Sequence, residues 1–223
     1  MTYRIEGTPF PALICRLESG ESMMCENGAM AWMSETIKMQ TTAGNKGLGG
    51  MFSRMMTGEG FFQNVYTAEG GAGTIAFRGE SLGAMLALDV EPQSIIAQKG
   101  AYIASEPTVN IEIALQKPGA GFFGGEGFIL QKFSGRGRVF LGIDGSVVEE
   151  SLRSGETLLL DTGTLGAAES SVTVSVEMVK GLGNLIAGGE GAFHTKVTGP
   201  GKIWLQTMPM ATYVPVIGRY LKK

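Results

Sequence analysis

The sequence predicts an all-β protein: a barrel or barrel-like sandwich, built from three internal repeats in a pseudo-threefold arrangement. Three observations predict it. Apolar and polar residues alternate at a period of two over many short stretches, glycine punctuates them at 35 of 223 positions, and one set of spaced residues recurs three times. That glycine content is roughly twice the usual ~7% and has no collagen period, so it marks many tight turns.

The alternation is plain in two stretches. Val172, Val174 and Val176 alternate with Thr173, Ser175 and Glu177, and Ile111, Ile113 and Leu115 alternate with Glu112, Ala114 and Gln116. Such patterns put one face of a strand in a core and the other in water. Helix is scarce. Leu82–Leu88 and a piece around Ile217–Leu221 are the two candidates, both short.

The repeat is anchored by Gly-Glu-Gly at 58–60, 125–127 and 189–191. Upstream lies a lysine followed by spaced glycines: Lys46, Gly47, Gly49; Lys117, Gly119, Gly121; Lys180, Gly181, Gly183. Downstream, Tyr66, Phe133 and Val197 hold equivalent places, and each copy then meets a glycine turn at 70–73, 135–137 or 199–201. An earlier half matches as Leu17-Glu-Ser-Gly-Glu and Leu152-Arg-Ser-Gly-Glu, with Val90-Glu-Pro-Gln-Ser as the weaker middle copy. The units are about 5–78, 79–143 and 144–208, followed by a short tail, 209–223, within a single β domain spanning 1–223. No such unit buries its apolar face alone, so neighbours must stack.

Composition narrows the function classes. A net charge of −3 and a pI near 5.3 argue against a nucleic-acid binder, which needs a basic excess to displace counterions. No apolar run of spanning length occurs, and the N-terminus shows no secretory pattern, so the expected location is the cytoplasm. Cys15 and Cys25 stand symmetrically about Gly20 and could face each other across a hairpin, but two small apolar residues in a reducing compartment is the simpler reading.

The stretches Leu17–Glu21, Gly28-Ala-Met-Ala-Trp-Met33, the glycine-rich Lys46–Phe62 loop and Gly199-Pro-Gly-Lys-Ile-Trp-Leu-Gln206 resemble bacterial relatives of the "altered inheritance of mitochondria" family of mitochondrial biogenesis proteins. The resemblance runs from about Tyr3 to Met210. It implies a double-stranded β-helix like that of the tryptophan RNA-binding attenuator, with internally repeated β units, and assembly into homo-oligomers. It implies no established enzymatic activity and no catalytic motif to carry over.

Candidate sites come from the repeat itself. Glu59, Glu126 and Glu190 could converge on a hard cation if the repeats surround an axis, since such ions prefer oxygen ligands. The stronger reading is that each carboxylate accepts hydrogen bonds from its own turn. Lys46, Lys117 and Lys180, with their Gly-x-Gly steps, could form anion nests, although structural turn glycines are the stronger reading. Gly119–Gly124 fits G-x-G-x-x-G but leads into a strand, so it fails as a dinucleotide site. His194 is the single histidine and cannot build a histidine-rich metal site. Met51, Phe52, Met55 and Met56 occupy a loop present in the first copy alone, which suits an adaptable contact surface or a flap.

The sequence therefore favours a non-enzymatic oligomeric scaffold or binding module without a cofactor, a homo-oligomer with room for a protein partner. The alternative is a cupin-like small-ligand or metal-binding protein, or an enzyme, using the barrel interior and the three repeated carboxylates.

Overall fold

The computed structural model describes residues 1–41, 63–117, 128–161, 163–178 and 193–221. Among the described residues, nineteen strands are followed by one helix, α1 (Met210–Leu221). After the N-terminal strand β1 (Thr2–Glu6), the same run of six strands occurs three times. The first is β2 (Ala12–Leu17), β3 (Ser22–Glu26), β4 (Met30–Met33), β5 (Ile37–Thr41), β6 (Gln63–Ala68) and β7 (Gly73–Phe77). The second is β8 (Met85–Asp89), β9 (Ile95–Gln98), β10 (Tyr102–Ser105), β11 (Val109–Lys117), β12 (Phe128–Gly135) and β13 (Arg138–Gly142). The third is β14 (Val147–Leu152), β15 (Thr157–Asp161), β16 (Leu165–Glu169), β17 (Thr173–Met178), β18 (Phe193–Thr198) and β19 (Gly201–Gln206).

Each run builds two ladders by one rule. The first, sixth and third strands pair in that order, and so do the fourth, fifth and second. The sheet orders are β1-β2-β7-β4, β5-β6-β3-β10-β13-β8, β11-β12-β9-β16-β19-β14 and β15-β18-β17. Successive runs are therefore joined through the second strand of one and the third strand of the next, β3 to β10 and β9 to β16. No sheet closes on itself among the described residues.

The repetition extends to irregularities. Third strands pair with sixth strands through a register shift at one place: between Met30 and Trp32, between Tyr102 and Ala104, and between Leu165 and Ala167. A bulge kept three times sets the local bend of the strand. The turn motif Leu-x-Ser-Gly-Glu also has a common build. The Glu18 and Arg153 amides donate to the Glu21 and Glu156 carboxylates at 2.9 and 2.8 Å. Gly20 and Gly155 hold φ of +86° and +77° there, a region costly to residues with a Cβ. The turn after each second strand likewise places Gly28, Gly100 or Gly163 at φ +86°, +92° and +92°.

The chain divides into two compact units, with β11 and β12 contributing residues to both. In the first, residues of both sheets share one core: Leu13, Leu17, Met23, Tyr66, Phe77, Ile103 and Phe140 are buried together. In the second, Leu130, Leu152, Leu160, Leu165, Val197 and Ile203 form the corresponding core.

Leu82–Leu88 is not a helix. Its Ala, Met and Leu residues favour one intrinsically, yet Met85–Asp89 forms β8 and pairs with β13 over all five residues. Ladder hydrogen bonds and burial outweigh a propensity worth a few tenths of a kcal/mol per residue. The C-terminal candidate is helical and longer than the sequence suggested. α1 begins where the Met210 amide donates to the Asp144 carboxylate at 2.9 Å, a capping interaction. Val214, Ile217, Tyr220 and Leu221 on this helix are exposed.

Cys15 on β2 and Cys25 on β3 are free, fully buried thiols. Burial pushes both up to about 12. Since the thiolate is the reactive form, a thiol reagent at about pH 8 should label neither in the folded protein and both after denaturation. Prompt labelling of either would show that its core region opens readily.

Candidate functional site

Most of the residues singled out from the sequence fall in the stretches that join the fourth and fifth strands of each run. Glu59, Glu126, Glu190, Lys46 and Lys180 lie outside the described residues, as do Met51, Phe52, Met55 and Met56. Lys117 ends β11, and its side chain is likewise outside the description. His194 lies in β18, at cross-strand positions from Asp161 of β15 and Glu177 of β17. Among the described residues no group of three or more His, Cys, Asp or Glu is placed to hold a metal ion. No described helix is long and apolar enough to cross a membrane.

A cleft of about 200 Å³ lies in the first unit, lined by Phe10, Pro11, Arg78, Ser81, Leu82 and Ile103. Small-molecule sites commonly span ~300–1,000 Å³, so this one encloses at most a small group.

A different site emerges from the strands that join the runs. Matching the shared register shift makes Trp32 equivalent to Ala104 and Ala167, and Met33 equivalent to Ser105 and Ala168. Matching second strands to fifth strands makes Leu159 equivalent to Met24 and Leu160 to Cys25. The β9 residues Ile96 and Ala97 take those places in the second run, because they face Ala168 and Ala167 as Met24 and Cys25 face Ser105 and Ala104. At both internal junctions every one of these residues is buried.

The two strands left over, β4 and β15, are sheet edges on that side. There Trp32 is 52% exposed, Met33 40% and Leu159 64%. The cross-strand row between third and sixth strands carries one large aromatic in each run: Trp32 opposite Ala76, Phe140 opposite Ala104, and Trp204 opposite Ala167. Phe140 and Trp204 are buried while Trp32 is not, so the size of the indole follows the repeat and its exposure follows the missing neighbour.

Edge strands invite pairing unless blunted by charge. β14, an edge, is blunted: Glu149 accepts from Lys202 Nζ at 2.7 Å and from Trp204 Nε1 at 2.8 Å. The Lys202 bond first, and then the Trp204 bond, hold the Glu149 carboxyl below its ordinary range against an opposing desolvation. β1 carries the Arg4–Glu6 ion pair. By contrast β4 has no charged residue, and β15 has Asp161 alone, at its end. The sequence did contain a signal for these strands. Leu158-Leu159-Leu160 and Met30-Ala-Trp-Met33 depart from alternation, as strands apolar on both faces do.

The comparisons with known proteins agree with this architecture. An uncharacterised protein of Streptococcus pyogenes serotype M6 is 26% identical over 219 residues, covering 95% of this chain and 87% of the relative. A crystal structure of a Streptococcus pyogenes protein from a structural genomics consortium superposes with a TM-score of 0.80 at 23% identity, covering 98% of this chain and 99% of that one. That likeness shows a common fold. The model of the family described as mitochondrial biogenesis AIM24 matches residues 3–208. With nearly its whole length matched, the chain belongs to the mitochondrial biogenesis AIM24 family.

Proposed function

We propose that this protein is a non-enzymatic, self-assembling β scaffold that works as a homo-oligomer in the cytoplasm. The observation that carries this reading is the pair of edges β4 and β15, which lack blunting charge along their length and expose Trp32, Met33 and Leu159 where the internal junctions bury every counterpart. Large apolar side chains beside an open ladder are costly in water and mark an interaction surface. Assembly through them removes apolar area and satisfies edge amides and carbonyls together.

Native mass spectrometry of untreated protein across a dilution series tests the reading. A discrete oligomer persisting into the low micromolar range is expected. A monomer at every concentration overturns it. The same spectrum addresses a second reading, in which Glu59, Glu126 and Glu190 hold a cation. It is favoured by the equivalent place of the three Gly-Glu-Gly stretches, each between the fourth and fifth strands of its run. A retained metal in fixed ratio that is lost on Glu59→Gln supports this second reading, and a spectrum free of retained metal removes it.

A further inference from the structure

The cleft of the first unit forms at a place where the three runs stop being alike. We infer that it binds a small carboxylate bearing a short apolar chain, with Arg78 holding the carboxylate and Phe10, Leu82 and Ile103 enclosing the chain.

The cleft lies where the first run passes into the second. The Arg78, Gly142 and Gln206 amides close the three sixth strands alike, donating to the Ala29, Ala101 and Thr164 carbonyls at 2.8, 2.7 and 2.8 Å. These three residues are therefore equivalent. Met85 and Val147 are equivalent too, since they face Gly142 and Gln206 across their ladders. Residues 79–84 separate Arg78 from Met85, whereas the shorter stretch 143–146 separates Gly142 from Val147. All of the longer connection except Glu80 lines the cleft. Two glycines let its walls come close. A Cβ on Gly79 would stand 2.8 Å from Ile103 Cδ1, and one on Gly142 would stand 2.7 Å from Ser81 Oγ. Any other residue at either place would push a wall aside.

The chemistry of the lining selects the ligand. Arg78 is the single charged residue among those that line the cleft. Its counterpart Gln206 is turned in upon the Asp144 amide and the Gly163 carbonyl, and Gly142 has no side chain, so the fold asks for no charge at this position. Arg78 is exposed, and among the described residues its guanidinium has no hydrogen-bond or ion-pair partner. A guanidinium at an apolar cleft matches a carboxylate, which it can hold through two parallel hydrogen bonds. The rest of the lining is almost wholly apolar, and Phe10 and Leu82 are 63% and 44% exposed. Large apolar side chains left in water beside a cavity mark a place that an apolar group covers. A volume of about 200 Å³ accepts a chain of a few carbons and no larger skeleton. Every lining residue belongs to the first unit, so one copy holds the whole site with or without assembly.

Hexanoate is the probe, titrated against the full chain by saturation-transfer difference NMR. Hexanol and acetate present the chain and the charge alone. Hexanoate should saturate with a Kd of about 1 mM, the range open to so few atoms. Hexanol and acetate should each bind at least about 10-fold more weakly. Arg78→Gln puts the residue of the third run at the position of the first. Because Arg78 is exposed, the variant should keep the wild-type melting temperature, weaken hexanoate about 10-fold and leave hexanol unchanged. Phe10→Ala and Leu82→Ala should each weaken hexanoate and hexanol together by about 3-fold or more, through lost apolar contact.

Hexanoate that fails to saturate at about ten times the expected Kd overturns the site. Hexanoate bound no better than hexanol, or indifferent to Arg78→Gln, overturns the carboxylate as the recognised group. Acetate bound as well as hexanoate, or hexanoate unaffected by both Phe10→Ala and Leu82→Ala, shows a surface charge acting alone and overturns the cleft as the place of binding.

Discussion

Phe140→Ala should lower the unfolding free energy by about 3–5 kcal/mol, the cost usual for removing a buried aromatic ring. Phe140 is fully buried in the core shared by the sheets of the first unit. Its β-strand neighbours are Ala87 on one side and Ala104 on the other, so neither adjacent side chain is large enough to fill the vacated space. The ring also meets Tyr3 edge to face, with centroids 5.0 Å apart at 73°. Losing that contact adds to the transfer and cavity terms. Urea denaturation should show a lower midpoint, and Phe140→Leu should recover more than half of the loss. A deficit of under about 1 kcal/mol for Phe140→Ala would mean that the core collapses onto the site far more freely than close-packed interiors do.

Gln206→Leu should cost about 2–4 kcal/mol although it conserves volume and adds apolar surface. Gln206 is buried, and its amide bridges two backbone groups: Oε1 accepts from the Asp144 amide at 3.0 Å, and Nε2 donates to the Gly163 carbonyl at 2.5 Å. Leucine strands both, and an unsatisfied buried group costs roughly 1–3 kcal/mol. Gln206→Glu separates the two bonds. Its carboxylate still accepts from Asp144 but repels the Gly163 carbonyl, whereas the protonated acid can donate to that carbonyl. The acid form is therefore favoured in the folded state, and the carboxyl titrates above its unfolded value. Stability is then retained below the unfolded value and lost as pH rises through the raised one, the reverse of the usual acid lability. Melting curves for this variant between about pH 4 and pH 8 should show that order. A flat profile would indicate that water has replaced Gln206 in the bridge.

Much of the strand content could be read from short stretches because its causes are local. Val172, Val174 and Val176 alternate with polar residues because all three pack at the second core, the last two from one face of β17, and the Glu of Leu-x-Ser-Gly-Glu recurs because its carboxylate holds the amide three residues earlier. The β8 segment misled for the same reason. Its local preference is helical, while the partner that makes it a strand, β13, follows some fifty residues later in the chain. The Gly-Glu-Gly stretches stand out in the sequence because they repeat. Their role stays a proposal, since they lie outside the described residues.

The sequence by itself determined the threefold repeat, the β class, the turn chemistry and which face of many strands is buried. All of these are properties of spacing and residue type within a few positions. Only the tertiary structure decided which strand lies beside which. The β3–β10 and β9–β16 pairs are made by backbone amides and carbonyls that every residue carries, so they leave no mark in residue identity. Alternation tells a strand which way to face and not whom to join. For that reason Trp32, Met33 and Leu159 look in the sequence like three more core residues, and only the sheet order shows them at two edges where the chain supplies no neighbour.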